Sequence, residues 1–459
     1  MNASSDSRCE TTPASVPASG SGKQAGDSLW QDHKAQRGVW SEKMLRTLAR
    51  GVKGGKWFSL IDKVYSDRTL SLAWEKVKSN AGACGVDGIT IARFDKDSQT
   101  RLLAVKERLK NGSYQPKPVK RVHIPKAGSK QTRPLGIPTV TDRVVQQALR
   151  MLIEPIFEHR FADHSYGFRP ERSCRDALRR VDGQLAEGYT HIVDIDIQGY
   201  FDAIDQTRLM QLLENDVSDG RVLTIIERFL KAGVLENGEW DPSDTGTPQG
   251  GVISPLLSNL YLDELDHLME STGYAMTRYA DDMVILCQSA AEAEIALQRV
   301  RHWMEQVKLT LHPEKTRIVD MQETEAYFDF LGYRFKRSRR GRIIRLARPK
   351  SEAKLRDAVR EHTRRCNGYG MTTIISLLNP KLKGWFGYFK HAYWSQHRDL
   401  DQWIRMRLRS IYRKQHRKRG CGRGTDHQRW PNRHFTELGL FSLQTAHSEA
   451  ASLRNGVKH

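Results

Sequence analysis

Paired cysteines are missing. The six cysteines, Cys9, Cys84, Cys174, Cys287, Cys366 and Cys421, lie far apart, and none forms a Cys-x-x-Cys pair. That spacing argues against a zinc module and against a disulfide framework, and it fits a reducing cytoplasm. Long apolar runs are missing too. No stretch reaches the roughly 18 residues a membrane helix needs, and the N-terminus has no apolar core of the signal-peptide kind. Acidic residues are scarce in one region above all. From Leu331 to Trp430 there are 28 Lys and Arg against 6 Asp and Glu. The formal net charge of the whole chain is +20 and its pI is near 9.7. The excess therefore sits in this one region, and the rest of the chain is close to neutral. A positive surplus so confined implies a polyanionic partner, nucleic acid ahead of membrane.

The 459 residues suffice for two to four domains. The first 27 or so, rich in Ser, Ala, Pro, Gly and Thr, cannot bury enough surface to offset chain entropy. The expected disordered tail is taken as 1–38. Helical spacing starts near Trp40, and Leu70, Ala73, Trp74 and Val77 make a second apolar stripe. Two short strands are expected at Val122–Lys126 and Arg133–Pro138, joined by a basic turn. Lys126, Lys130 and Arg133 on such a hairpin suit a triphosphate clamp. Helices follow at Thr141–Phe157 and, capped by Ser173, at Ser173–Leu185. Between them lies Ser165-Tyr166-Gly167-Phe168-Arg169-Pro170, where Arg169 suits contact with a template base.

Two acidic stretches carry the chemistry. In His191-Ile192-Val193-Asp194-Ile195-Asp196-Ile197, period-2 alternation puts Asp194 and Asp196 on one strand face and Ile195 and Ile197 on the other. In Arg278-Tyr279-Ala280-Asp281-Asp282-Met283-Val284-Ile285-Leu286, a β-hairpin is expected with Asp281 and Asp282 at its turn. Adjacent carboxylates repel unless neutralised, and a divalent cation with oxygen ligands does that. Farther on, helices are expected near Lys350–Arg365, Thr373–Lys381 and Leu400–Lys418. In the last, Arg405, Arg409 and Arg413 recur every four residues along a face distinct from the apolar stripe. Such a face, with Trp385, Phe386, Tyr388 and Phe389 just upstream, suits an RNA or hybrid backbone.

The blocks Asp-Ile-Gln-Gly-Tyr-Phe-Asp (196–202), Gly-Thr-Pro-Gln-Gly-Gly-Val-Ile-Ser-Pro (246–255) and Tyr-Ala-Asp-Asp (279–282), in that order, resemble reverse transcriptases, and among these the proteins encoded by group II introns. The resemblance spans roughly residues 80–420. It implies an α+β right-hand polymerase. Its parts would be an N-terminal helical extension (39–115), fingers and palm with an antiparallel sheet (116–335), an α-helical thumb or maturase domain (336–424), and a short tail (425–459) suited to a DNA contact. A C-terminal zinc endonuclease domain is not expected. Asp196, Asp281 and Asp282 would hold two Mg²⁺ ions, with Ile197 adjoining in the metal set. Phe201 would bar a ribose 2′-hydroxyl, Gln249 and Gly250 would meet the incoming nucleotide, and Lys315 would bind a phosphate of the nucleic acid. Implied partners are intron RNA, an RNA template with a DNA primer, dNTPs and target DNA, with no membrane. The protein would act as a monomer or dimer in a bacterial-type cytoplasm, associated with the nucleoid when it works on DNA. The competing readings are a free-standing reverse transcriptase of a retron, defence or CRISPR system, and a splicing-only maturase.

Overall fold

The computed structural model describes residues 39–456 apart from 53–54, 126–131, 237, 243–244, 367, 418–419, 421 and 423, and it leaves out the side chains of 133 and 454–456. The expected N-terminal tail therefore lies outside the described residues, as do Lys126 and Lys130.

The helices Glu42–Arg50, Asp67–Asn80 and Ser98–Lys110 come first. The stripe Leu70, Ala73, Trp74 and Val77 is buried as its spacing predicts, in one core with the long helix Val140–Glu158. That helix starts where Thr139 Oγ1 accepts the Asp142 N–H at 3.1 Å. The extension anticipated at 39–115 thus has no core of its own.

Along the chain, the strands are β1 (Val119–Pro125), β2 (Thr132–Ile137), β3 (His191–Asp196), β4 (Val234–Glu236), β5 (Glu239–Asp241), β6 (Ala275–Tyr279), β7 (Asp282–Cys287), β8 (Arg317–Asp320), β9 (Tyr327–Phe330), β10 (Tyr333–Arg337) and β11 (Ile343–Ala347). They form three sheets, ordered β2-β1-β4-β5, β6-β7-β3-β8 and β11-β10-β9. The second is antiparallel throughout, with β3 between β7 and β8.

Alternation along β3 and β7 builds the layers around this sheet. Val193, Ile195, Met283 and Ile285 face the main core with the helices Ser254–Ser271 and Ala290–Gln306. Ile192, Val284 and Leu286 face a second cluster with Ala177, Leu178 and Val181 of the helix Cys174–Ala186 and with Phe328 and Phe335 of β9 and β10. Asp194, Asp196 and Asp282 share this second face, and they sit toward its end, where the apolar residues of β3 and β7 give out.

The basic segment after Leu331 is the β10–β11 hairpin, followed by the helices Pro349–His362, Met371–Phe389 and Trp394–Gln415. The middle one runs through Pro380, well past the end its sequence suggested, because Leu382 and Phe389 are buried beyond it. The helices Asp426–Arg429, Asn432–Glu437 and Leu443–Gly456 close the chain. Trp430, Phe435, Leu440 and Leu443 share one core with Leu355, Ile374, Leu400 and Leu408. The segment expected to be a separate tail after 424 is therefore folded into the helical unit before it.

Candidate active site

Strand register brings the acids together. Asp196 ends β3 and faces Asp282, the first residue of β7, directly across the ladder. The turn is Ala280-Asp281, so Asp282 belongs to the strand rather than to the turn. Ala280 adopts φ 59°, the left-handed backbone that a two-residue hairpin turn demands. The 165–168 loop packs beneath it. A Cβ at Gly167 would collide with the Ala280 backbone nitrogen, so only glycine fits there.

The charges in this corner are unbalanced. Burial and the neighbouring carboxylates Asp194, Asp281 and Asp196 push the Asp282 carboxyl up to about 7. Asp194 is also pushed up to about 7, mainly by burial, although Arg317 stands 3.8 Å away. A second cation, Lys315, touches the set from the side. Lys315 Nζ lies 2.8 Å from Asp196 Oδ2. The segment carrying Lys315 is tied to β3 by the His312 N–H donating to the Asp196 carbonyl at 2.8 Å. Lys315 is therefore at the acids themselves, where the sequence suggested a phosphate contact. Ile197 has a buried side chain and bridges to Leu311.

Among the described residues, no three His, Cys, Asp or Glu side chains already converge as a ready cage for an ion. The donor set nevertheless fits a hard divalent cation. It consists of carboxylate oxygens held cross-strand, destabilised by one another, with a lysine partly standing in for positive charge.

The expected nucleotide contacts gather beside this corner. Phe201 follows Asp196 by five residues in the short helix Tyr200–Ala203, whose Tyr200 Oη donates to the Ser258 carbonyl at 2.6 Å. The Phe201 carbonyl accepts the Thr247 N–H at 2.7 Å, which pins the 246–251 loop to it. The far side of that loop touches β2, where the Gly136 N–H donates to the Gln249 carbonyl at 2.6 Å. Gly250, at φ 112°, leaves no room for a Cβ against the Gly136 carbonyl. Phe201, Gln249, Gly250 and β2 thus form one connected wall. Arg133 lies on β2 opposite Ile124, with its side chain undescribed, and Lys126 is outside the described residues.

Four arginines expected to contact nucleic acid are placed otherwise. Arg169 is buried. It donates to Glu158 and to the carbonyls of Ala162 and Ser165, and so fastens its own loop. Arg405 lies 3.6 Å from Asp401, and Arg413 pairs with Asp426. Arg409 is 2% exposed and donates to the Trp430 carbonyl at 2.9 Å and to Asn432 Oδ1 at 2.8 Å. Arg409 and Arg413 lie on the seam where the C-terminal segment docks, because a guanidinium held there must find acceptors and that segment supplies them, while Arg405 pairs within its own helix. A repeat every four residues reads the same for a buried seam as for a solvent face. The cations of this region that do face solvent include Lys354, Arg364, Lys381 and Lys383.

Sequence reasoning also missed how the upstream aromatics serve the site. Tyr388 Oη donates to the Leu331 carbonyl at 2.7 Å, Tyr333 Oη donates to the Tyr388 carbonyl at 2.6 Å, and the Leu331 backbone lies close enough to the Asp282 carboxyl to favour its charged form. The cluster Trp385 to Phe389 joins the C-terminal helices to the acidic corner. Only the density of aromatics hinted at it.

Residues 124–335 match the family described as reverse transcriptase (RNA-dependent DNA polymerase), the class that this sheet and its acids define. Residues 353–430 match the group II intron, maturase-specific domain. The protein YkfC of Escherichia coli is 36% identical over 300 residues, covering 56% of this chain and 78% of that protein. The group II intron-encoded protein LtrA of Lactococcus lactis is 44% identical over 195 residues, which are 42% of this chain and 32% of that protein. The chain belongs to the group II intron reverse transcriptase/maturase family. The match spans about a third of the length of LtrA. Among solved structures, a chain of a Cas6-RT-Cas1–Cas2 complex is similar at TM-score 0.36 and 23% identity, over 54% of this chain and 26% of that one. No helix among the described residues is long and apolar enough to cross a membrane.

Proposed function

We propose that this chain is an RNA-directed DNA polymerase encoded by a group II intron, which binds its intron RNA, assists splicing and copies the RNA into cDNA. The observation that carries this reading is the cross-strand pair Asp196–Asp282 with Asp281 in the adjoining turn, beside a wall of Phe201, Gln249 and Gly250. In right-hand terms, the β6-β7-β3-β8 sheet is the palm, and the β1–β2 hairpin with the N-terminal helices makes the fingers. The helices from Pro349 onward make the thumb and maturase unit. Asp196, Asp281 and Asp282 would hold two Mg²⁺ ions, which when bound supply charge neutralisation and Lewis acidity to phosphoryl transfer.

The chain's own residues do the rest. Phe201, five residues past Asp196, would bar a ribose 2′-hydroxyl with its ring. Gln249 and Gly250 would meet the incoming nucleotide, and Arg133 would meet its phosphates. Lys315 neutralises Asp196 until a stronger cation competes for it. The maturase-specific match at 353–430 favours the intron reading over a free-standing enzyme. The intact set of acids favours polymerisation over splicing alone. Partners under this reading are intron RNA, primed RNA template, dNTPs and target DNA, and the exposed cations of the C-terminal helices are the RNA-facing surface. The test is primer extension on an RNA template with Mg²⁺, comparing the wild-type chain with Asp281→Ala. Loss of cDNA with the fold kept is expected, and wild-type yield from the variant would refute the site.

A further inference from the structure

Arg278 is the largest side chain among the described residues with no solvent exposure. Its donors are distributed in a particular way. Nε donates to Asp266 Oδ1 at 2.7 Å, and Nη2 pairs with Asp266 Oδ2. Nη1 donates both to Asn259 Oδ1 and to the Ala280 carbonyl, each at 3.0 Å. Asn259 in turn donates its Nδ2 to the Gly167 carbonyl at 2.7 Å. Asn259 and Asp266 are seven residues apart on the helix Ser254–Ser271, two turns along one face. The Arg278 backbone is also pinned, its N–H to the His164 carbonyl at 3.0 Å and its carbonyl to the Tyr166 N–H at 2.9 Å.

A buried ion pair is a poor source of stability, because desolvation offsets most of the attraction. A planar guanidinium does fix directions. One side of this fork grips a helix carboxylate, and the other grips the carbonyl one residue before Asp281. That carbonyl belongs to Ala280, the non-glycine residue at φ 59°. The turn is therefore clamped twice, by Arg278 from the helix and by Gly167 from the loop, and Asn259 ties the two clamps together.

We propose that Arg278 is a positioning residue. By holding the Ala280 carbonyl against the helix Ser254–Ser271, it sets where Asp281 and Asp282 stand relative to Asp196. The proposal rests on the reading of these acids as the metal site.

Two variants of the full chain test it. Arg278→Lys keeps the charge and loses the fork, and Asn259→Ala unties the clamps while leaving the Asp266 pair. Three quantities are measured: Mn²⁺ binding followed by loss of the free-ion EPR signal, the single-nucleotide addition rate with its dNTP KM, and thermal melting. Arg278→Lys should melt cooperatively and bind Mn²⁺ at least about fivefold more weakly. Its maximal rate should fall at least about tenfold while KM moves less than about threefold. Asn259→Ala should show the same pattern at smaller amplitude. Unchanged Mn²⁺ affinity and rate in folded Arg278→Lys, or losses that only track the unfolded fraction, overturn the proposal. If Arg278→Lys does not fold, Asn259→Ala decides by the same criteria. A wild-type chain that binds Mn²⁺ yet makes no cDNA sinks the polymerase reading, and the Mn²⁺ measurements still decide the role of Arg278. A wild-type chain that binds no Mn²⁺ overturns both.

Discussion

Two side chains show how far a residue's neighbours, rather than its type, decide what it does. Phe201 is half-buried in a four-residue helix, and its carbonyl holds the loop bearing Gln249. Its ring, not its backbone, would discriminate sugars, so truncation should relax selectivity without dismantling the wall. In single-nucleotide assays Phe201→Val should raise ribonucleotide use relative to dNTP by about tenfold or more, the equivalent of about 1.4 kcal/mol of lost discrimination. An unchanged ratio would remove Phe201 from that role. Arg409 is the opposite case. Its guanidinium is buried on the Trp430 carbonyl and Asn432, and it lies over the Phe435 ring with 5.3 Å to the centroid. Arg409→Gln should leave acceptors stranded and cost about 2–4 kcal/mol. It should show first as a lower melting temperature, with intron RNA affinity holding while the protein stays folded. A selective fall in affinity at unchanged stability would return Arg409 to the RNA surface.

At the scale of elements, what was legible depended on whether a signal was local. The period-2 run around Asp194 and Asp196 and the hairpin at Asp281 are written in consecutive residues, and both strands form. The helix Cys174–Ala186 starts at Ser173, the cap its sequence suggested, and Asp176 completes a capping box there. Which face a helix turns inward is not local when its partner lies far along the chain. Arg413 and Asp426 are 13 residues apart, and the spacing of the arginines could not reveal the seam. The pairing of Arg278 with Asp266 was equally hidden, because the helix and β6 are joined by a turn whose geometry the sequence does not spell out.

The same C-terminal seam carries a pH signal. His397 is fully buried against Trp385, Phe386 and His447, and burial, helped by His447, depresses it to about 4. The unfolded chain takes up this proton near pH 6.5, so stability is full above that and is lost as pH falls toward 4, by about 2 kcal/mol at pH 5. Melting curves at pH 7 and pH 5 should show a larger drop for wild type than for His397→Phe. Equal drops would mean that His397 is not the group responsible.

For the whole molecule, the acids and the exposed cations sit on different units joined by the Tyr333–Tyr388 contacts, and their activities should separate. Asp281→Ala removes a carboxylate from the β6–β7 turn, which lies outside the helices after Pro349. It should abolish cDNA synthesis and leave intron RNA binding and splicing near wild type. Lys354, Lys381 and Lys383 lie exposed on the packed helices Pro349–His362 and Met371–Phe389. Replacing all three by Gln spares the apolar stripes and keeps good helix formers, so the fold should hold. Each cation that neutralises a phosphate releases counterions. The triple variant should therefore lower RNA affinity most at low salt and flatten the slope of log affinity against log salt by about 2–3 units. Splicing should fall at least as far as primer extension, because a large folded RNA must be held throughout splicing while extension needs only a primed template. The measurement pairs a splicing assay on precursor RNA with primer extension for both proteins across a salt series. If the two activities fall together in each variant, the chemistry of the sheet and the RNA grip of the helices are one function, and the division drawn from their separate cores is wrong.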